Sequence, residues 1–225
     1  MKRIISSVLV LGVCLTPLTV PVMVQPSWAQ SQNLQLEKLK QLIEQAKQQT
    51  QQGQARQAIE TWQQVIAIVR QFKERKIEAI ALNYIALNYS ALSQLQEALK
   101  YLKQALPIFR EVGDSGWEAT TLGTIGLTYL GISQPQEALK YYNQALPIWR
   151  ELGARAREAA TLNTIGLVYD SISQPQEALK YYNQALPIWR ELGDRAREAA
   201  TLRYIDEVNN RSQPPSRTNI PPIPQ

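Results

Sequence analysis

The sequence contains no histidine, and its single cysteine is Cys14. Histidine is the usual general base at neutral pH and the commonest metal ligand, so its absence disfavours acid–base catalysis and most metal sites. The chain also has no glycine-rich phosphate loop, no metal-ligand spacing and no nucleophile elbow. We therefore predict a protein that is not an enzyme and that holds neither a cofactor nor a metal.

Clustered charge is missing as well. The formal net charge is +5, and it falls to +3 when Lys2 and Arg3 are set aside, with 22 basic and 19 acidic side chains spread along the rest of the chain. A nucleic-acid footprint requires a basic face or stripe, which this distribution does not provide. The charge pattern predicts no nucleic-acid partner.

The one long apolar run lies in residues 1–29, which have the three parts of a secretory signal peptide. Two basic residues come first, Ile4–Val24 is largely apolar, and Ser27-Trp28-Ala29 is a small-x-small cleavage signal. The sequence therefore predicts export to the periplasm or the cell exterior, with a mature chain that starts at Gln30.

An uncleaved membrane anchor is the competing interpretation of this leader, because its apolar run is long for a signal peptide. Pro17 and Pro21 weaken that interpretation, since each removes a backbone donor from a spanning helix. No later segment has 18 consecutive apolar residues. We therefore expect no membrane span after removal of the signal.

A period of 40 residues organises the remaining chain. Residues 161–200 match residues 121–160 at 35 of 40 positions, and residues 121–160 match residues 81–120 at 22 of 40. A weaker copy occupies residues 41–80 in the same register and without gaps. A fixed period of this length is typical of a solenoid, in which each repeat buries its apolar face against its neighbours.

Each repeat is predicted to hold two helices, at about 115–132 with 134–152 and again at 155–172 with 174–192. A serine followed three residues later by glutamine precedes the second helix of a pair, which predicts a capping box at Ser93, Ser133 and Ser173. Glycines are expected to end the second helices in a left-handed conformation, at Gly113, Gly153 and Gly193. Asp114 and Asp194 then follow and are expected to cap the next helix.

Three prolines break the helical pattern. Pro107, Pro147 and Pro187 fall well inside the second helices, in the recurring phrase QALPI[FW]R. An interior proline removes one backbone hydrogen bond and costs about 3 kcal/mol. We predict a kink at each proline; the alternative is that the helix stops there and a short helix resumes.

Arginines open two of the first helices, in the runs Arg155-Ala-Arg157-Glu158 and Arg195-Ala-Arg197-Glu198. Their charge opposes the helix dipole at that end. Pairing with Glu151 and Glu191 is the expected compensation, as surface ion pairs of small energy. A basic stripe for anionic lipid is the alternative interpretation.

The two ends of the array differ from the repeats. Gln30–Gln57 holds 11 glutamines in 28 residues, yet its apolar residues recur at helical spacing, which predicts a helix at about 33–51 packed on the first repeat. Residues 201–211 begin a fifth copy and then become polar, as expected of a closing helix. Residues 212–225 contain five prolines and are predicted to be a disordered or extended tail.

The repeat resembles the tetratricopeptide repeat, whose pattern W-x2-L-G-x2-Y…A-x3-F…P has a period of 34. Ile165-Gly166 and Tyr169 stand at the places of L-G-x2-Y, and Ala178 and Tyr182 at the places of A-x3-F. The longer period of 40 resembles the repeats of kinesin light chains and of G-protein-signalling modulators. The resemblance covers residues 33–211 and implies an all-α, right-handed solenoid of antiparallel helix pairs, with a repeat domain at 30–211.

Members of this family bind partners in a concave groove lined by the first helix of each repeat. Carried over by position, the resemblance implies the following partner-binding residues: Asn83, Tyr84, Thr124, Asn163, Thr164, Asp170, Arg203, Tyr204 and Glu207. Few of these are basic, so a clamp for a terminal carboxylate is not expected. The expected partner is a protein or a peptide of apolar or mixed character.

Trp117 stands where the next two repeats have arginine, and is interpreted as an exposed or half-buried substitution, with a contact role as the alternative. As a whole, the sequence predicts an exported scaffold or adaptor for protein–protein interaction. Two alternatives remain open. One is a structural module that self-associates through its repeat ends. The other is an envelope-anchored assembly factor that keeps its leader.

Overall fold

The computed structural model describes residues 27–212, and the side chains of residues 33–211. Its helices are α1 (Ser27–Gln51), α2 (Ala55–Gln71), α3 (Arg75–Ala91), α4 (Leu95–Val112), α5 (Ser115–Gly131), α6 (Pro135–Glu151), α7 (Arg155–Ser171), α8 (Pro175–Glu191) and α9 (Arg195–Ser212). These nine helices are the only regular elements of the described residues. They form an all-α solenoid, with helix pairs α3–α4, α5–α6 and α7–α8 as the full 40-residue repeats. The predicted signal peptide lies outside the described residues up to position 26, and residues 213–225 lie outside them too.

The helix bounds expected from the sequence are confirmed to within a few residues. The predicted helices 115–132 and 134–152 correspond to α5 and α6, and the next two to α7 and α8. The closing segment 201–211 is the later part of α9, which already begins at Arg195. From Lys38 onward the described residues form one compact unit, and residues 27–37 fall in another.

The same backbone motif ends the first and the second helix of a repeat. At the end of α4, Gly113 has a φ of 69°; its N–H bonds to the carbonyl of Arg110, and the next N–H bonds to that of Phe109. This pair of bonds is the Schellman motif, in which a left-handed residue satisfies the last carbonyls of a helix. The expected role of the glycines is therefore confirmed.

The serine capping boxes predicted from the sequence are wrong. Ser93, Ser133 and Ser173 each have a φ of 59° and take the same left-handed place at the end of α3, α5 and α7. The residues that precede the next helices are glutamines, and their side chains make no capping bond. The serines end one helix rather than begin the next, because they occupy the position that glycine holds half a repeat later.

The two aspartate caps are confirmed. Asp114 Oδ1 accepts a hydrogen bond from the backbone N–H of Trp117 at 3.1 Å, and Asp194 Oδ1 accepts one from Arg197 at 3.0 Å. A salt bridge to Lys76 and the backbone N–H of Trp117 lower the pKa of Asp114. In the repeat between them, Ala154 precedes α7 and provides no side-chain cap.

The helices continue through the interior prolines. Pro107, Pro147 and Pro187 lie inside α4, α6 and α8, so the alternative of a broken helix is wrong, while the kink stays a prediction. All three prolines are exposed. The carbonyl four residues earlier, which loses its partner, lies on the same face of the helix and can bond to water there. Exposure therefore explains how the fold tolerates them.

Small residues and aromatic rings fill the space between paired helices. The ring of Tyr142 on α6 packs on Gly126 of α5, and a Cβ on Gly126 would lie 2.9 Å from its Cζ. Tyr129 stacks on Tyr141 with ring centroids 5.4 Å apart, and the pairs Tyr89–Tyr101 and Tyr169–Tyr181 repeat this contact. These aromatic residues are buried or half-buried and belong to the core of the repeats.

The helix α1 packs on the first repeat, as expected from its apolar spacing. Leu39 and Ala46 are buried in one cluster with Trp62 of α2. Thr50 accepts a hydrogen bond from Asn88 of α3 at 3.0 Å. At the other end, α9 has Asp206 at the place of Gly126 and Gly166.

Candidate protein-binding surface

The structure places the nine predicted binding residues on the first helices of the repeats, namely α3, α5, α7 and α9. Two small cavities between these helices bring some of them together. One, of about 190 Å³, lies between α3 and α5 and is lined by Asn83, Tyr84 and Thr124 among others. The other, of about 270 Å³, lies between α5 and α7 and is lined by Thr124 and Thr164. The remaining predicted residues line neither of these two cavities.

Asn83 and Asn163 join neighbouring repeats. Asn83 Nδ2 donates to Thr121 Oγ1 at 2.8 Å, and Asn163 Nδ2 donates to Thr201 Oγ1 at the same distance. Each threonine hydroxyl gives its own proton to the carbonyl four residues earlier, so it can only accept from the asparagine. The Oδ1 atoms of both asparagines are buried and have no partner among the described residues. Their amide N–H groups therefore stabilise the packing of neighbouring repeats.

Tyr84 and Tyr204 also have structural contacts. Tyr84 stacks on Trp62 with ring centroids 4.6 Å apart, and Tyr204 stacks on Tyr182 at 5.6 Å. Each tyrosine is half-buried, so one face is packed in the array while the rest stays accessible. Aromatic side chains of this kind offer a rigid apolar contact at small entropic cost.

The predicted residues of α7 and α9 form a charged region. Arg211 Nη2 donates to both carboxylate oxygens of Asp170, at 2.8 and 2.6 Å, and these two residues line a third cavity of about 500 Å³. Arg203 pairs with Glu207 at 3.6 Å across one turn of α9. The carboxylates of Asp170 and Glu207 are therefore already paired within the chain.

Three exposed leucines form a row that was not predicted from the sequence. Leu87, Leu127 and Leu167 recur at the period of 40 on α3, α5 and α7, and they are 49%, 63% and 39% exposed. Leu87 lines the first cavity and Leu127 the second. A leucine at helical spacing is normally interpreted as a core residue, so these leucines were not predicted to be exposed. Their sequence position could have indicated it, because each lies one turn after one of the predicted groove residues Tyr84, Thr124 and Thr164.

Trp117 is half-buried and takes part in the first cavity. Its ring stacks on Phe109 at 5.6 Å, nearly parallel, and faces Leu87 and Tyr84 across the cavity lining. In the next two repeats, Arg157 and Arg197 lie over Trp149 and Trp189 at the same place. The contact role left open in the sequence analysis is compatible with this position.

Threonines give the two cavities a neutral polar lining. Thr120, Thr124 and Thr164 each donate the hydroxyl proton to a backbone carbonyl four residues earlier, at 2.8–2.9 Å. Their oxygens can still accept hydrogen bonds from a ligand. Gly123 lies between them, and a Cβ at this position would meet no atom within 4 Å. This glycine therefore has no packing reason inside the chain, unlike Gly126.

The expected pairing of the arginines is confirmed for Glu191 and is not found for Glu151. Arg155 bonds to Glu158 on its own helix and, at 2.9 Å, to Glu191 at the end of α8. Among the described residues, Glu151 forms no ion pair with it. The bond to Glu191 joins the start of α7 to the end of α8, so Arg155 links the two helices of one pair.

Within residues 33–211 no group of three potential metal ligands comes together. No described helix is long and apolar enough to cross a membrane. The surface formed by Leu87, Leu127, Leu167 and the two small cavities beside them is hereafter called the leucine-row surface. Its apolar side chains and hydrogen-bond acceptors suit contact with another polypeptide.

A tandem array of helix pairs with such a surface is the architecture of a protein–protein interaction scaffold. The chain belongs to the tetratricopeptide repeat family, whose sequence model matches residues 42–111, 77–151 and 117–191. This match confirms the family expected from the repeat. A search of curated proteins found no match to the chain.

Solved structures share the fold at low sequence identity. The nearly identical repeats of a putative kinesin light chain from Podosopora anserina superpose with a TM-score of 0.58 and 20% identity, over 78% of this chain and 97% of that one. A signal-transduction ATPase with a tetratricopeptide repeat sensor, from Pyrococcus horikoshii, gives 0.72 and 17%, over 80% and 28%. A Rap protein complexed with competence and sporulation factor gives 0.62 and 16%, over 77% and 52%.

Proposed function

We propose that this protein is an exported scaffold that binds a peptide or a partner protein along the leucine-row surface. The observation that carries the proposal is that this row lies beside the two cavities, whereas the similarly exposed Val112, Leu152 and Leu192 line neither of them. Three leucines at equivalent places of successive repeats remain exposed, whereas other repeated apolar places of the same helices are buried, namely Leu82, Leu122 and Leu162, and Ile85, Ile125 and Ile165. An ordered row of apolar side chains in water marks a surface that another molecule covers.

The lining of the row supports a polypeptide as the ligand. The cavities of about 190 and 270 Å³ are smaller than the roughly 300–1,000 Å³ typical of small-molecule sites, so each suits a side chain of a longer ligand. Both lie on helices that the solenoid holds in place, so little ordering cost falls on this protein when it binds. The Rap protein bound to competence and sporulation factor is an example of a ligand complex in the same fold.

Export belongs to the proposal on the strength of residues 1–29 alone, which have the order of a signal peptide. The mass of the exported protein tests it. A product that starts at Gln30 supports release into the periplasm or the exterior. A product that retains residues 1–29 supports the envelope-anchored alternative.

Self-association through the repeat ends is the other candidate, and the structure gives it less support. A further second helix packed on α9 would place an aromatic ring where Tyr142 meets Gly126 in the repeat of α5 and α6. Asp206 stands at that place in α9. A carboxylate buried under a ring without a partner is costly, so a further second helix of the repeat type would pack poorly on α9.

Affinity capture with two matched variants tests the proposal. The bait is the full-length chain, beside a variant that carries Leu87→Ser, Leu127→Ser and Leu167→Ser. The control carries Val112→Ser, Leu152→Ser and Leu192→Ser, which alter similarly exposed residues at the turns between repeats. We expect the same protein to be captured by the wild type and by the control and to be lost with the leucine-row variant. Equal capture by all three would contradict the proposal.

A further inference from the structure

Arg157 is an exposed arginine that lacks the carboxylate partner of its counterpart in the next repeat. Its counterpart one repeat later, Arg197, forms an ion pair with Asp194 at 2.8 Å. In the repeat that holds Arg157, the place of Asp194 is taken by Ala154. Among the described residues, no carboxylate forms an ion pair with Arg157. Two repeats that are otherwise nearly identical thus differ in a way that leaves one guanidinium without a counter-ion.

The guanidinium nonetheless lies over an aromatic ring. Arg157 Cζ lies 5.9 Å from the ring centroid of Trp149, within the range of a cation–π contact. Both residues line the cavity of about 270 Å³ between α5 and α7. Stacking on the ring orients the planar group and leaves its N–H donors for a ligand. Arg157 is the only charged residue in the lining of that cavity.

The surface of α5 beside Arg157 leaves room for a ligand to approach the helix backbone closely. Gly123 has no side chain, and a Cβ on it would meet nothing within 4 Å. A glycine in a helix interior destabilises the helix, so a glycine without a packing role calls for another reason. One reason is the approach of a ligand main chain to the helix backbone. The hydroxyl oxygens of Thr124 and Thr164 lie in the same lining and can accept its N–H groups.

We propose that Arg157 binds an acidic side chain of an extended peptide whose main chain crosses α5 at Gly123. Charge complementarity selects the acidic group, because a free guanidinium binds a carboxylate through two parallel hydrogen bonds. The inference deepens the proposed function and rests on it, since it names the chemistry of the ligand on the leucine-row surface. Ala154 is the residue that keeps the site available.

Three single substitutions test the role of Arg157. Ala154→Asp gives α7 the aspartate of the neighbouring repeats, which occupies Arg157 from within and also caps the helix. Arg157→Gln removes the charge. Arg197→Gln is the matched control, because it removes an arginine that is already paired with Asp194. The probe is a phage-displayed library of random 12-residue peptides, selected on the full-length chain and then measured singly as synthetic peptides.

We expect the selected peptides to share Asp or Glu at one position and to bind more weakly as salt is raised. Their affinity should fall at least 10-fold with Ala154→Asp and with Arg157→Gln, and stay within 2-fold with Arg197→Gln. The melting temperature of Ala154→Asp should not fall, which separates lost binding from lost structure. Peptides that lose affinity for the variant with Leu87→Ser, Leu127→Ser and Leu167→Ser are thereby shown to bind the leucine row. If such peptides bind the wild type and the three single variants equally well, the inference alone is overturned. A library without any peptide that depends on the leucine row would contradict the proposed function, and the inference with it.

Discussion

Gly126 and Tyr142 fit together without room for a methyl group, since a Cβ on Gly126 would lie 2.9 to 3.1 Å from three carbons of the Tyr142 ring. Gly123, one turn earlier on the same helix, has open space at the same position. These two glycines on α5 therefore have different reasons. The first allows paired helices to approach, and the second leaves the helix backbone open at the proposed binding surface.

The two glycines should respond in opposite directions to substitution by alanine. Gly126→Ala should destabilise the protein by about 1–2 kcal/mol, because overpacking against Tyr142 exceeds the gain in helix propensity. Gly123→Ala should stabilise it by about 1 kcal/mol, because the propensity gain meets no clash. Urea unfolding of the two variants measures both values. A loss of stability with Gly123→Ala would show that this glycine has a structural role after all.

Alkaline pH should weaken the fold through Tyr142. Burial raises the pKa of Tyr142 to about 12, above the ordinary value of 10. The folded protein therefore holds this proton more tightly than the unfolded chain, so stability is intact below pH 10 and falls between pH 10 and 12. At pH 11 the loss from this one group is about 1 kcal/mol.

Tyr142→Phe isolates that contribution from the other titrating groups. The difference in free energy of unfolding between the wild type and the variant should change by about 1 kcal/mol from pH 9 to pH 11. Guanidinium unfolding at the two pH values measures it. A difference that does not depend on pH would mean that Tyr142 ionises as freely in the fold as in the unfolded chain.

The helix bounds could be predicted from the sequence because each helix end has a local cause. Gly113 and Asp114 show how a left-handed residue and a cap stand side by side at one turn. The role of Ser133 could not be predicted in the same way. Serine at positive φ is uncommon, so the S-x-x-Q pattern favoured a cap at the start of a helix. Its position half a repeat from the glycines was the better guide.

The candidate surface was predicted only in part, for a reason of packing. The family resemblance gave positions such as Tyr84 and Thr124, which do line the cavities. Leu127 was missed, because a leucine at helical spacing normally lies in the core and nothing in one sequence separates an exposed one. The ion pair of Arg155 with Glu191 joins residues 36 apart, and only the antiparallel packing of α7 on α8 brings them together.

The interior prolines should act on helix shape. Pro187→Ala should restore the hydrogen bond to the carbonyl of Asn183, straighten α8 and raise stability by about 1–3 kcal/mol. A crystal structure of the variant gives the helix axis, and urea unfolding gives the stability. An unchanged axis would show that α8 is already straight around Pro187 and that the predicted kink does not exist.

The aspartate cap of α5 should contribute measurably to stability. Asp114→Ala removes the bond to the backbone N–H of Trp117 and the salt bridge to Lys76, and should cost about 1 kcal/mol. Since these contacts lower the pKa of Asp114, its contribution is present above the unfolded pKa of about 4 and is lost as pH falls further. Equal stability of the variant and the wild type at neutral pH, measured by urea unfolding, would show that the cap does not stabilise the protein.

Side-chain footprinting tests the central claim, that the leucine-row surface is where a partner binds. Hydroxyl radicals would be applied to the chain alone and to its complex with a captured partner, with leucine oxidation measured by mass spectrometry. We predict that Leu87, Leu127 and Leu167 lose reactivity in the complex, while Leu152 and Leu192 keep theirs. Protection of Leu152 and Leu192 with an unprotected leucine row would contradict the account.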